Sequence, residues 1–293
     1  MGREVWEIEA VLSEASHFYV DYSTLYGGVE IAMWDALGRE LGAPLNRLLG
    51  GKCDDEIECA YCVGILNPAE SREHVWRALA GGFSVLKTKS ELDREQDVER
   101  IVAMDDEADG ELDIRLDPNE AYSFEDAVRV GARLEDEEIY LHYFEQPVDA
   151  GTFGTYERLR QRLRQHIAVN EDIYEDRHLL HLVTADAIDV GVVDLLPAGG
   201  ICELKRMAGI AADASISLSH HSGWDLDIKT AAMVHTVAST PAIELLPDTV
   251  YYSMADYLAT EPFDPTDGHL TVLDDPGLGI EVDETKVEQY RTD

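Results

Sequence analysis

From about residue 56 onward, short runs of alternating or continuous apolar residues are separated by stretches with helical spacing. The strand-like runs centre near Ile57–Cys62, Ser84–Lys89, Leu112–Asp117, Ile139–Glu145, Ile167–Asn170, Ile188–Asp194, Ser215–Ser219 and Ala242–Leu245. The step is about 27 residues, shorter between the fifth and sixth runs. Most gaps hold apolar residues three and four apart, as in Ala69–Ala80, Asp93–Ala108, Phe124–Leu134 and Gly200–Ala212. Eight β–α units at this spacing predict an α/β fold of the (β/α)8 barrel type. A doubly wound sheet would carry a glycine-rich dinucleotide loop after an early strand, and this chain has none. Ahead of the barrel, Val29, Ala32, Met33, Ala36, Leu37 and Leu41 predict one helix, stopped by Gly42-Ala43-Pro44. Residues 1 to about 26 give no clear element.

In such a barrel the functional groups sit at the C-terminal ends of the strands. Read in order, those ends are Lys87-Thr-Lys89, Asp117 with Asn119, Glu145, Asn170-Glu171, Asp194, His220-His221 and Glu244. One carboxylate after a strand is an ordinary helix cap. Seven successive polar ends converging on one mouth call for another explanation. The three central tips, Asp117, Glu145 and Asn170-Glu171, form an oxygen donor set suited to a hard cation such as Mg²⁺.

Alternation puts Lys87 and Lys89 on one side of their strand. Adjacent cations lower each other's pKa, which would let one of them act as a neutral base. Asp194 and His221 match a carboxylate–imidazole dyad, in which the acid fixes the tautomer and raises the basicity of the ring. His220, His178, His181 and His235 read as structural. A metal flanked by a base on each face suits removal of the proton α to a carboxylate, with the cation stabilising the enediolate. Glu244, if protonated, would donate a hydrogen bond to that intermediate. No Gly-x-Ser-x-Gly occurs and no cysteine has a histidine placed for it, so serine or cysteine hydrolysis lacks support.

The composition adds three exclusions and one habitat. The 60 acidic residues against 23 basic ones give a net charge of −37, the wrong sign for a nucleic-acid partner. No stretch has the apolar length of a membrane span, and the start lacks a signal-peptide pattern, so a cytoplasmic protein is expected. Four cysteines are too few for a disulfide scaffold, and Cys59-Ala-Tyr-Cys62 lies inside a β-like run without a second ligand pair. Acid spread over the whole surface is what a salt-rich habitat tolerates, because dense salt screens the self-repulsion.

These residues resemble the enolase superfamily, mandelate racemase subgroup, and within it the glucarate-dehydratase-like acid sugar dehydratases. The resemblance runs from Gly28 to the C-terminus. It rests on Ala-Met-Trp-Asp-Ala-Leu-Gly-Arg-Glu-Leu-Gly-Ala-Pro, Lys87-Thr-Lys89, Asp117-Pro-Asn119, Glu145-Gln-Pro, His221-Ser-Gly, Glu261-Pro-Phe-Asp-Pro-Thr-Asp-Gly and Pro-Gly-Leu-Gly279. Sites in this superfamily pair a Lys or His base with Mg²⁺. The resemblance implies a modified (β/α)7β barrel, with Lys89 as one base supported by Lys87, and the His221–Asp194 pair on the other face. It implies Mg²⁺ on Asp117, Glu145 and either Asn170 or Glu171, with Asn119 and Glu244 holding the substrate. The expected activity is dehydration of a small-molecule sugar acid. Racemisation of a 2-hydroxy acid and a truncated, inactive barrel are the alternatives. A homo-oligomer is expected. The segments expected are 1–52 as a remnant of the family's N-terminal capping region, 53–255 as the barrel, and 256–293 packing back on the cap side. Ser90 stands where the family carries glycine.

Overall fold

The computed structural model describes residues 2–18, 22–90 and 93–291, so both ends of the expected segmentation, residues 1 and 293, lie outside the described residues. Eight parallel strands form one sheet: β1 (Ala60–Val63), β2 (Val85–Lys89), β3 (Asp113–Asp117), β4 (Tyr143–Glu145), β5 (Ile167–Val169), β6 (Val190–Val193), β7 (Ser217–His220) and β8 (Asp248–Thr249). Neighbours in sequence are neighbours in space from β1 to β7, and β8 pairs with β1. The remaining gap is bridged where the Leu245 N–H donates to the Leu218 carbonyl at 2.9 Å and Ser219 Oγ donates to the Leu246 carbonyl at 2.8 Å. The sheet is thereby closed into a barrel.

Local chemistry starts the helices that join these strands. Asn67 and Glu70 form a reciprocal capping box ahead of Pro68–Ala80, with proline at its first turn. Asp93 caps Arg94–Ala108 and Ser123 caps Phe124–Asp136 through side-chain oxygens on backbone N–H groups, each contributing about 1 kcal/mol. Alternation then divides the strand residues. Leu86, Leu116 and Phe144 join the main core between sheet and helices. Tyr143, Ala168, Val190 and Val192 form a separate cluster with Leu245. That second cluster is the floor of the barrel.

Leu245 also explains where the last strand falls. The expected strand Ala242–Leu245 is instead a turn and a bend. Its apolar side chains serve packing from below, and the strand begins only after Pro247, whose carbonyl accepts the Ala60 N–H at 2.8 Å. The register follows as Ala60 opposite Asp248 and Tyr61 opposite Thr249. The first expected strand is likewise split. Glu56–Glu58 pairs antiparallel with His269–Thr271, and the barrel strand proper starts at Ala60.

The first 26 residues contain a helix, Ile8–Phe18, and the start of a second, Ser23–Leu41. The former carries Ile8, Val11, Leu12 and Ala15 on one face at helical spacing, of which only Ile8 is buried. The longer helix is tied to the barrel at two points. Buried Glu30 accepts the backbone N–H groups of Ile201 and Cys202 at the start of helix Ile201–Ala214, the Cys202 contact being 3.0 Å. Gly200, at φ +126°, leaves the room that this carboxylate fills. Further along, Gly38 meets Gly277 so closely that a Cβ on Gly38 would lie 2.6 Å from the Gly277 Cα. Asp35 accepts the Leu278 N–H at 2.8 Å, and Arg39 reaches Glu281 at 2.6 Å. The C-terminal segment is therefore held against this helix by backbone contact. Among the described residues no helix is long and apolar enough to cross a membrane.

Candidate active site

The C-terminal ends of β2, β3 and β4 carry a cluster of buried charges. In register, Lys89 lies opposite Asp117 and Lys87 opposite Arg115, so these side chains and Glu145 share the inner face. Lys87 Nζ is 2.6 Å from Glu145, 2.8 Å from Asp248 and 3.3 Å from Asp117. Lys89 Nζ is 2.5 Å from Asp117 and remains about one-third exposed at the mouth. Arg115 lies below, fully buried, with Nη1 2.9 Å from Asp248.

This arrangement reverses one expectation. Burial alone would strip Lys87 of its proton, but Asp248, Glu145 and Asp117 around it raise its pKa well above the ordinary value. Lys87 is a fixed cation, and the partly exposed Lys89, paired with Asp117, is the lysine at the mouth. The carboxylates divide in turn. Asp117 is lowered: burial opposes ionisation, and Lys87, Lys89 and the Asn119 N–H outweigh it. Asp248 is held to about 2 against its burial by Lys87 and Arg115. Glu145 goes the other way, pushed up to about 7 by burial and by the charge of Asp117.

Among the described residues, no three His, Cys, Asp or Glu side chains are gathered closely enough to hold a metal ion. The donor chemistry nevertheless fits a hard cation. Glu145 Oε1 and Glu171 Oε2 are buried without a hydrogen-bond donor, while Glu145 Oε2 is ion-paired with Lys87. Glu171 follows β5 on a short 3₁₀ turn, and its other oxygen accepts from Asn119 Nδ2 at 3.1 Å. The Asn119 backbone N–H donates to Asp117 at 2.9 Å, so Asn119 spans the two carboxylates. Asn170 Nδ2 instead donates to the Val192 carbonyl at 2.7 Å, and its backbone N–H donates to Gln146 Oε1. Of the two adjacent positions, Glu171 carries the fully buried oxygen without a donor.

Across the barrel, Asp194 follows the end of β6 and His220 ends β7. The His221 N–H donates to the Val193 carbonyl at 2.7 Å, which sets the ring beside Asp194, with Nδ1 3.2 Å from Asp194 Oδ2. Burial would raise the Asp194 pKa, yet the His221 hydrogen bond and the Lys229 charge bring it well below the usual carboxylate range. His220 points into the core, where burial pushes its pKa down to about 3. Cys59 and Cys62 are free thiols, both raised by burial.

One expected residue does not belong. Glu244 is exposed and lies four residues before β8 begins, next to the Leu245 that seals the floor. Because all strands run parallel, that is the end opposite the lysines, and Glu244 cannot reach an intermediate at the mouth. The buried acid that β8 does supply is Asp248, which reading the run Ala242–Leu245 as the strand concealed. Arg115, Asp225 and Lys229 were also missed. Composition held one signal for the last: the chain has only six lysines, two of them, Lys87 and Lys89, on β2, and Lys229 in the first turn of helix Asp227–Ala238 that follows β7.

Comparison with known proteins agrees with this fold. The chain is 29% identical over 285 residues to an L-Lys-D/L-Arg epimerase of Methylococcus capsulatus, covering 96% of this chain and 78% of that protein. It is 28% identical over 269 residues to an arabinonate dehydratase of Saccharolobus solfataricus, covering 90% and 71%. The crystal structure of an isomerase from Streptomyces coelicolor superimposes with a TM-score of 0.89 at 30% identity, covering 99% of this chain and 83% of that one. Residues 70–286 match the family described as enolase C-terminal domain-like. This chain is a member of that family, in the mandelate racemase subgroup of the enolase superfamily.

Proposed function

We propose that this protein is a Mg²⁺-dependent acid sugar dehydratase, in which Lys89 removes the α-proton of an aldonate or aldarate and His221 assists departure of the β-hydroxyl. The observation that carries the reading is the pairing of a partly exposed lysine on β2 with an Asp194-supported imidazole after β7, on opposite flanks of the buried Glu145. Asp117, Glu145 and Glu171 would hold Mg²⁺, with Asn170 as the adjacent alternative to Glu171. The ion would supply positive charge against the substrate carboxylate as its α-proton leaves. Asn119 would orient the substrate. Lys87 stays protonated and keeps Asp117 and Glu145 in place. Arg100 Nη2 donates to the Lys89 carbonyl at 2.5 Å and pairs with Asp97 at 2.7 Å, which fixes the end of the strand that carries the base.

An arabinonate dehydratase among the relatives supports dehydration, and an L-Lys-D/L-Arg epimerase supports the second reading. In that reading Lys89 and His221 exchange one α-proton from opposite sides. The test is NMR of candidate acids in D₂O with two variants. His221→Asn should abolish dehydration while leaving α-proton exchange by Lys89. Lys89→Ala should abolish exchange from its own face. General acid–base groups contribute about 10²–10⁴-fold, so either loss is measurable. Wild-type exchange and turnover in both variants would remove these two residues from the reaction.

A further inference from the structure

The cations of this chain are few, and the fold commits most of them. All 23 lysines and arginines lie among the described residues, and five of them have no carboxylate oxygen within 4.0 Å there: Arg47, Arg158, Arg162, Arg164 and Lys205. None of the five is at the mouth. In a parallel barrel the connecting helices run back from mouth to floor, so the last turn of each lies at the floor end. Arg158 is in the last turn of helix Phe153–Arg160, and Arg162 and Arg164 follow it on the way into β5. Lys205 donates to the Ser239 carbonyl at 2.8 Å, just past the end of helix Asp227–Ala238. Arg47 lies on Leu45–Leu48, where Asn46 Nδ2 is 2.9 Å from His235 Nδ1 in the last turn of that same helix.

At the mouth the cations are already matched. Lys87 is enclosed by three carboxylates, and Lys89 holds Asp117. Lys229, after β7, reaches Asp194 at 2.8 Å and Asp225 at 2.7 Å. Arg94, after β2, pairs with Asp126 at 3.4 Å and lies over the Tyr122 ring. Arg177 pairs with Glu175 at 2.6 Å and lines an outer groove with Leu180 and Thr184, down the flank of its helix. Carboxylates remain in excess. Glu120, after β3, is half-buried; its Oε1 accepts the Ala150 N–H at 2.7 Å and its own N–H donates to the Gln146 carbonyl at 2.9 Å. Tyr174 closes the 3₁₀ turn that carries Glu171, and its half-buried hydroxyl has no hydrogen-bond partner among the described residues. Burial and the charges of Glu171, Asp194, Glu120 and Glu145 raise its pKa, which places the phenol among the carboxylates of four strand ends and keeps it protonated.

We propose that the mouth takes aldonates, which carry one carboxylate and a neutral polyhydroxyl end, and turns away aldarates, with Glu120 and Tyr174 reading the far end; this deepens the dehydratase reading above and rests on it. An aldarate brings a second carboxylate, and among the described residues no lysine or arginine at the mouth is without a carboxylate partner to receive it. The second carboxylate would instead face Glu120 and Glu171. Like charges about 6–8 Å apart in a poorly screening site weaken binding by about tenfold. Hydroxyl groups meet the same residues favourably, because they donate to carboxylates and a phenol both donates and accepts. Glu120 and Tyr174 face the part of the substrate that does not react, so they set specificity and leave the chemistry to Lys89 and His221.

The test measures binding by isothermal titration with Lys89→Met, which cannot take the α-proton, and turnover with the wild type. Both use the full chain with Mg²⁺ at the lowest KCl that keeps it folded. The probes are acid pairs that differ only in the last carbon: gluconate with glucarate, galactonate with galactarate, and xylonate with xylarate. In at least one pair the aldonate should bind about tenfold tighter. Glu120→Gln keeps an oxygen for the Ala150 N–H and should narrow that gap about threefold by strengthening the aldarate, and Glu120→Lys should narrow it further. Tyr174→Phe should weaken the aldonate by about three- to tenfold, the loss of one hydrogen bond. Added KCl should also narrow the gap, since salt screens charge and leaves shape unchanged. The proposal is overturned by an aldarate that binds as well or better in every pair, by a gap that neither Glu120→Gln nor KCl moves, or by no binding of any pair. Tighter binding of the dipeptide L-Lys-L-Arg than of every aldonate overturns it too. The expected gap, in a wild type that exchanges the α-proton and forms no 2-keto acid, supports the selectivity and overturns the dehydratase reading alone.

Discussion

Neutralising Asp248 should be among the most damaging single-atom changes in this protein. Its Oδ1 takes Arg115 Nη1 at 2.9 Å and its Oδ2 takes Lys87 Nζ at 2.8 Å, and all three side chains are at most 3% exposed. In Asp248→Asn, Lys87 keeps Asp117 and Glu145. Arg115 keeps only neutral acceptors among the described residues, the Leu246 carbonyl and His142 Nδ1. Removing one partner of a buried ion pair costs about 3–5 kcal/mol, because the other charge stays in a poorly solvating medium. Urea unfolding in molar KCl measures this directly. The double variant Asp248→Asn/Arg115→Met removes the stranded cation and should recover half or more of the loss. A single-variant cost below about 1 kcal/mol, or a double variant no more stable than the single, would refute the argument that Asp248 is the counter-charge for Arg115.

Two further outcomes follow from charge. His142 is pushed down to about 4 by burial and by neighbouring Arg115, whereas in the unfolded chain it titrates near 6.5. Its folded pKa is depressed, so its contribution is fully present above pH 6.5 and is lost as the pH falls toward 4. Between pH 7.5 and 5 the wild type should lose about 2 kcal/mol more than His142→Asn, read from urea midpoints, and equal losses would contradict this. The net charge of −37 predicts that thermal midpoints rise from dilute to molar KCl, where screening shortens to roughly 3 Å; equal midpoints would exclude a salt-adapted surface.

Much of the barrel was legible because its strands are short apolar runs that stop abruptly in polar residues. Asp117, Glu145 and Asp194 announce themselves that way, and the observed ends of β3, β4 and β6 fall at or one residue from them. The last strand was not legible for a physical reason. Ala242–Leu245 is the more apolar run, but its apolarity serves the barrel floor, while β8 itself is two residues long and buries an acid. Helix Ile8–Phe18 was missed although Ile8, Val11, Leu12 and Ala15 recur there at helical spacing. Spacing alone also misjudged Lys87. Two lysines two apart predict mutual repulsion, whereas three carboxylates from three other strands surround this one, and only the fold brings them together.

The most direct test of the central claim is formation of 2-keto acid from a library of aldonates and aldarates, in molar KCl, with Mg²⁺ and after its chelation. The account predicts that at least one acid yields its 2-keto product, that chelation abolishes turnover, and that Glu145→Gln abolishes it with Mg²⁺ present. Turnover that survives chelation, or α-proton exchange across the library with no 2-keto acid from any member, would contradict it.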